Sequence, residues 1–141
     1  MNETSSKQIN WDSITCLVVD DDKFSRTFVK TALYQIGVKN TKEASTTSEA
    51  IEILRNYKVH VVLLDQQMPD QNGLELARKI KAGEVGDNKD LPVIMVTIDT
   101  KENTVMEAKS IGIHEYLVKP ISPLALKKRL STAFGIKEKT S

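Results

Sequence analysis

Short apolar runs alternate along this chain with segments of helical period, and no other feature restricts the possible folds as tightly. The runs are Cys16-Leu17-Val18-Val19, Val59-His60-Val61-Val62-Leu63-Leu64 and Val93-Ile94-Met95-Val96, with weaker ones at Asn40–Ala44 and Glu115–Val118. Continuous β-branched runs suit strands covered on both faces, as in a parallel sheet. Between them, Val29, Leu33 and Ile36 form one helical stripe, with Gly37 after it. Thr46-Thr47-Ser48-Glu49 reads as a capping box ahead of Ala50, Ile51 and Leu54. Leu76 and Ile80 share a face of a third helix, and Val105, Ala108 and Ile111 lead into Gly112. Ser122 and Pro123 open a last helix carrying Leu126, Leu130, Ala133 and Phe134. Five strand–helix units predict an α/β domain, a doubly wound five-stranded parallel sheet with helices on both faces. The segment from Gly83 to Asp90, with Gly86 inside it, reads as a long flexible linker.

Composition narrows the partners. With 141 residues, one domain is expected, large enough to bury a core without metal or disulfide staples. Twenty Lys and Arg against 19 Asp and Glu give a net charge of +1, which argues against a nucleic-acid or membrane-surface binder. The single cysteine, Cys16, excludes a disulfide framework and a cysteine metal cage. Met1 to Ser6 lack the basic and apolar regions of a secretory signal, and no apolar stretch is long enough to span a bilayer. A cytoplasmic chain is expected. Residues 1–13 read as a polar tail in which Trp11 either pins the tail or stays exposed, residues 14–135 as the domain, and residues 136–141 as a charged end.

Ligands of open parallel sheets bind at the carboxyl ends of the strands. Here the first run ends in Asp20-Asp21-Asp22, the third in Asp65, the fourth in Thr97 and the fifth in Lys119-Pro120. Clustered carboxylates repel one another unless a cation lies among them. Asp20, Asp21 and Asp65 offer only oxygen donors, which suits Mg²⁺, with Mn²⁺ as a substitute. A carboxylate is also a competent nucleophile towards phosphorus. Lys119 would add positive charge and Thr97 a hydroxyl donor to a phosphoryl oxygen. The pieces fit phosphoryl transfer onto Asp65. Singly, each has a plainer use: Asp22 caps the first helix, Asp65 precedes a turn, Thr97 ends a strand, and Lys119 is solvated. Their placement on four strand ends favours the shared chemistry.

These residues resemble a response-regulator receiver domain of two-component signalling, of the chemotaxis-regulator-like kind. The resemblance is carried by Leu17-Val18-Val19-Asp20-Asp21-Asp22, Leu64-Asp65-Gln66-Gln67-Met68-Pro69, Asn72-Gly73-Leu74-Glu75-Leu76, Leu91-Pro92-Val93-Ile94-Met95-Val96-Thr97 and Tyr116-Leu117-Val118-Lys119-Pro120. It spans about Thr15 to Gly135. It implies a flavodoxin-like sheet of order 2-1-3-4-5, Asp65 as phosphoacceptor, and Mg²⁺ held by Asp20, Asp21, Asp65 and the backbone carbonyl of Gln67. It further implies Thr97 and Tyr116 as switch residues, Lys119 as partner of the acceptor, and a cis Lys119–Pro120 bond.

The residue after the switch threonine is usually small in such domains, and here it is Ile98, a candidate gate on access to Asp65. Gln67 and Asp99 flank the expected path of an attacking water. The resemblance implies a stand-alone regulator, not a turnover enzyme. A histidine kinase or histidine phosphotransfer protein would be the donor, and a protein partner would read the face of the fourth helix, fifth strand and fifth helix. Two other readings stay open on the residues. A Mg²⁺-dependent phosphohydrolase would want an acid where Gln67 stands, and a non-phosphorylated binding module would have lost one of the acidic residues or the lysine.

Overall fold

The computed structural model describes residues 9–66, 68, 72–98, 102–113 and 115–135, with side chains described throughout except at 102–105. Five strands, β1 (Thr15–Val19), β2 (Asn40–Ala44), β3 (Val61–Asp65), β4 (Val93–Thr97) and β5 (Glu115–Val118), alternate with five helices. These are α1 (Lys23–Gln35), α2 (Thr47–Asn56), α3 (Gly73–Lys81), α4 (Glu102–Ser110) and α5 (Pro123–Ala133). All strand pairs are parallel, in the order β2-β1-β3-β4-β5. The doubly wound, flavodoxin-like sheet expected from the sequence is the one observed.

Because side chains alternate across a strand, each apolar run feeds two cores. Leu17, Val19, Val62, Leu64, Val93 and Met95 point to one face, against Ala50 and Leu54 of α2, Leu76 and Ile80 of α3, and Ala108 of α4. Cys16, Val18, Val61, Leu63, Ile94 and Val96 point to the other, against Val29 and Leu33 of α1 and Leu126 and Leu130 of α5. The three central strands are therefore buried on both faces, and each fully buried Leu or Ile stabilises by roughly 1.5–3 kcal/mol. β2 lies at the sheet edge with only Ala44 buried, and this explains its weaker apolar pattern.

Helix starts follow their caps. Asp22 accepts the Phe24 amide at 3.0 Å, and Ser122 accepts that of Ala125 at 3.1 Å ahead of Pro123. Thr46 accepts the Glu49 amide, while the Glu49 carboxylate reaches one residue further back than a simple box, to the amide and hydroxyl of Ser45. Asn72, named in the sequence only within a motif of the resemblance, caps α3 through the Leu74 amide at 2.8 Å. Trp11 resolves towards anchoring. It opens a 3-10 turn (Trp11–Ser13), packs against the α1/α5 core, and lies so close to Gly37 that a Cβ there would sit 3.0 Å from its own Cβ.

The segment Gly83–Asp90 is not the flexible linker its glycines suggest. Gly83 and Gly86 adopt φ of +79° and +60°, and these turns tuck Val85 into the α2/α3 core with 1% exposure. The Asn88 side-chain amide then donates to the carbonyls of Leu54 (3.2 Å) and Val85 (3.0 Å), closing the end of α2. We predict that Val85→Ala destabilises the protein by about 2 kcal/mol, for the two methyls removed and the cavity left. In a solvated linker the change would stay within about 0.5 kcal/mol, so a thermal melt separates the two.

Candidate phosphorylation site

Parallel pairing puts every carboxyl end at the same rim, and the register sets which ends are neighbours. Val19 pairs with Leu64, Asp65 with Val96, and Thr97 with Val118. Asp20, one residue past β1, thus lies beside Asp65, the last residue of β3. Lys119, one past β5, lies beside Thr97, and its amide donates to the Thr97 carbonyl at 2.9 Å. Gly73 closes the loop after Asp65: its amide donates to the Gln66 carbonyl at 2.7 Å, and a Cβ at this position would run into the Asp65 carbonyl oxygen.

The residues singled out in the sequence converge. Asp20, Asp21 and Asp65 each present a carboxylate oxygen, all within 4.8 Å of one another, with Asp20 buried, Asp65 half-buried and Asp21 exposed. Lys119 Nζ lies 3.0 Å from Asp20 Oδ2 and 3.1 Å from Asp65 Oδ2. The donor set is all oxygen, partly open to solvent and short of positive charge, and it fits a hard divalent cation. Thr97 is buried at the end of β4. Tyr116 packs against the α2–α4 core, its hydroxyl donating to the Ile113 carbonyl at 3.0 Å. Met68 packs on the same core. The Lys119–Pro120 bond is cis, as the resemblance implied. Gln67 and Asp99 lie outside the described residues.

Opposing effects set the charges. Burial pushes the Asp20 carboxyl up, but hydrogen bonds from the Ser25 hydroxyl, the Asp22 amide and Lys119 hold it below the usual carboxylate range. Burial pulls the Lys119 ammonium down, but its bonds to Asp20 and Asp65 carry it above the ordinary lysine value. A lowered acid stabilises above its unfolded pKa and a raised base below its own. The pair therefore acts at full strength from about pH 4 to about pH 10, and weakens as pH falls through the lowered Asp20 value or rises through the raised Lys119 value.

Two features were missed in the sequence, an apolar groove beside the site and the residues that hold Asp20. Phe24 and Phe28 stand one turn apart on α1, off the Val29–Leu33 stripe, and are exposed (88% and 48%). With Ile98, Pro120 and Ile121 they line an apolar groove of about 370 Å³ that reaches Lys119. Two aromatics at i and i+4, off the buried stripe, were the available signal. Ile98 itself is 75% exposed and belongs to this groove. Ser25 and Arg26, which hold Asp20, look in sequence like ordinary solvated helix residues.

Lys119→Met removes the cation between two carboxylates. The expected cost lies between about 1 kcal/mol for an exposed pair and about 3–5 kcal/mol for a buried one, read as a lower Tm without divalent cation. Added Mg²⁺ should then raise the Tm of the variant by more than that of the wild type. An equal rise in both would mean that Lys119 does not offset the carboxylates.

Comparison with known proteins agrees with this geometry. The family model for the response regulator receiver domain matches residues 16–131. A chemotaxis protein CheY homolog of Campylobacter jejuni is 38% identical over 120 residues, covering 84% of this chain and 91% of that protein. The structure of the chemotaxis protein CheY4 of Vibrio cholerae superposes with a TM-score of 0.77 at 28% identity, over 85% of this chain and 98% of that one. The BeF3-activated DrrB receiver domain superposes with a TM-score of 0.72 at 29% identity, over 86% of this chain and 97% of that one. Five parallel strands, an acidic rim closed by a lysine, and these matches lead to one conclusion: this chain belongs to the response regulator receiver domain family of two-component signalling.

Proposed function

We propose that Asp65 accepts a phosphoryl group from the phosphohistidine of a histidine kinase or histidine phosphotransfer protein, and that the chain then signals to a protein partner through its own altered surface. The observation that carries this reading is Lys119 Nζ, placed within 3.1 Å of both Asp20 and Asp65 at the strand-end rim. One Asp65 carboxylate oxygen bonds to phosphorus while the P–N bond to the donor imidazole breaks, the electron pair leaving with the nitrogen. Lys119 is within reach of a phosphoryl oxygen on Asp65, and the Thr97 hydroxyl donates to another. Mg²⁺, or Mn²⁺ in its place, held by Asp20, Asp21, Asp65 and the backbone carbonyl of Gln67, would supply positive charge between the phosphoryl group and the carboxylates.

Phosphorylation draws Thr97 towards the new oxygens and Tyr116 inward after it. This shifts the face formed by α4, β5 and α5, where the partner binds. The apolar groove of Phe24, Phe28, Ile98 and Ile121 beside Lys119 suits a donor that approaches as a protein surface rather than as a small hydrophilic molecule.

Intact mass after incubation with acetyl phosphate and Mg²⁺ tests the reading. One labile phosphoryl group is expected, absent in Asp65→Asn and absent with chelator. No gain from acetyl phosphate or from a histidine phosphotransfer donor would refute it, and steady turnover of phosphomonoesters would point to a hydrolase. Ile98→Ala should shorten the phosphoryl lifetime by opening the approach of water to Asp65. Phosphorylation and dephosphorylation rates both equal to wild type would remove Ile98 as a gate.

A further inference from the structure

Lys119 holds the Asp20 side chain, and a second cation holds its backbone. Arg26 of α1 donates from a guanidinium nitrogen to the Asp20 main-chain carbonyl at 2.7 Å, and from Nε to Glu43 of β2 at 2.9 Å. Glu43 is itself steadied by Lys30 at 2.8 Å, and its carboxyl is held below the usual range by the Lys30 hydrogen bond and, against some burial, by Arg26. The Asp20 amide donates to the Ala44 carbonyl at 3.0 Å. The peptide groups on both sides of Asp20 are thus tied to β2, one directly and one through the Arg26–Glu43 bridge. With both peptide planes held, the Cα–Cβ bond of Asp20 has a set direction, into the acidic pocket.

We propose that Arg26 is a positioning residue for the cation pocket: its fork fixes the backbone of Asp20 against β2, and so presets the carboxylate oxygen that a divalent ion would use. This rests on Asp20, Asp21 and Asp65 being the cation site. The geometry calls for arginine, because one planar guanidinium reaches the carbonyl and Glu43 together, whereas a lysine ammonium is a single point donor on a flexible stem. Groups that orient metal ligands without touching the metal typically change affinity by about 10–100-fold when removed. The sign of the effect is diagnostic. Arg26 is a positive charge close to the site, so by Coulomb attraction alone its removal would tighten cation binding. A positioning role demands the opposite.

The test titrates Mg²⁺ against wild type, Arg26→Met and Arg26→Lys, following the Asp21 and Asp22 amide signals by NMR, with acetyl phosphate labelling measured in parallel. Arg26→Met should weaken Mg²⁺ binding about tenfold or more. Its labelling rate should return to near wild type at saturating Mg²⁺, and Arg26→Lys should fall in between. Equal or tighter Mg²⁺ binding by Arg26→Met would overturn the proposal, as would labelling that stays low at saturating Mg²⁺. Should Arg26→Met fail to fold, Arg26→Lys takes its place, since it keeps the charge and loses the fork: weaker Mg²⁺ binding supports the proposal and unchanged binding overturns it. A wild type whose amides do not respond to Mg²⁺ would instead overturn the cation site itself, and this inference with it.

Discussion

Carboxylates brought together by parallel strands repel one another, and the rest of the site is arranged around that repulsion. The register that buries the β1 and β3 side chains on both faces also sets Asp20 beside Asp65, so the fold cannot form its central pair without crowding negative charge at the rim. Lys119 answers this from β5, across the width of the β3–β4–β5 half of the sheet. The remaining neighbours of Asp20 act on the same problem. Ser25, the Asp22 amide and Lys119 all favour its charged form against the cost of burial. A pocket built this way is poised for added positive charge and for a group, such as a phosphoryl, whose oxygens can share the same donors.

Much of this was legible in the sequence, for a physical reason. In a parallel sheet the last residue of each apolar run marks the rim, so Asp20, Asp65, Thr97 and Lys119 could be placed together from the runs alone, and the structure puts them there. Caps at Asp22, Thr46 and Ser122 were readable because capping is a local interaction within a few residues. Side chains whose partners are distant in the chain were not readable. Arg26 looks like a solvated helix residue until β2 brings Glu43 to it. Asn88 carries no sign of its bond to Leu54, far back in α2. Gly83 and Gly86 suggested flexibility, whereas their turns serve to bury one valine, and a single apolar residue between glycines is too weak a pattern to register.

The division of the interior into two separate cores also gives the helices different relations to the rim. α1 contributes to one core through Val29 and Leu33, while its first turn supplies Asp22, Ser25 and Arg26 to the rim and Phe24 to the groove beside it. One helix therefore carries packing at its middle and chemistry at its start. Tyr116 belongs to the opposite core, the one built on α2, α3 and α4. Tyr116 is thus packed away from the core that holds α1.

Trp11, the sole tryptophan of the chain, sits where the tail meets the end of α1, next to Gly37. β1 begins a few residues after it and runs away from it towards the acidic rim, so the indole lies at the opposite end of the strand from Asp20. Its fluorescence is thus an optical probe of how the Trp11–Ser13 turn is seated, at the end of β1 away from the carboxylates. A change in that emission on loading the rim would mean that the disturbance had travelled the length of α1 or β1, and it would give a label-free measure of how stiffly the two ends of the domain are joined.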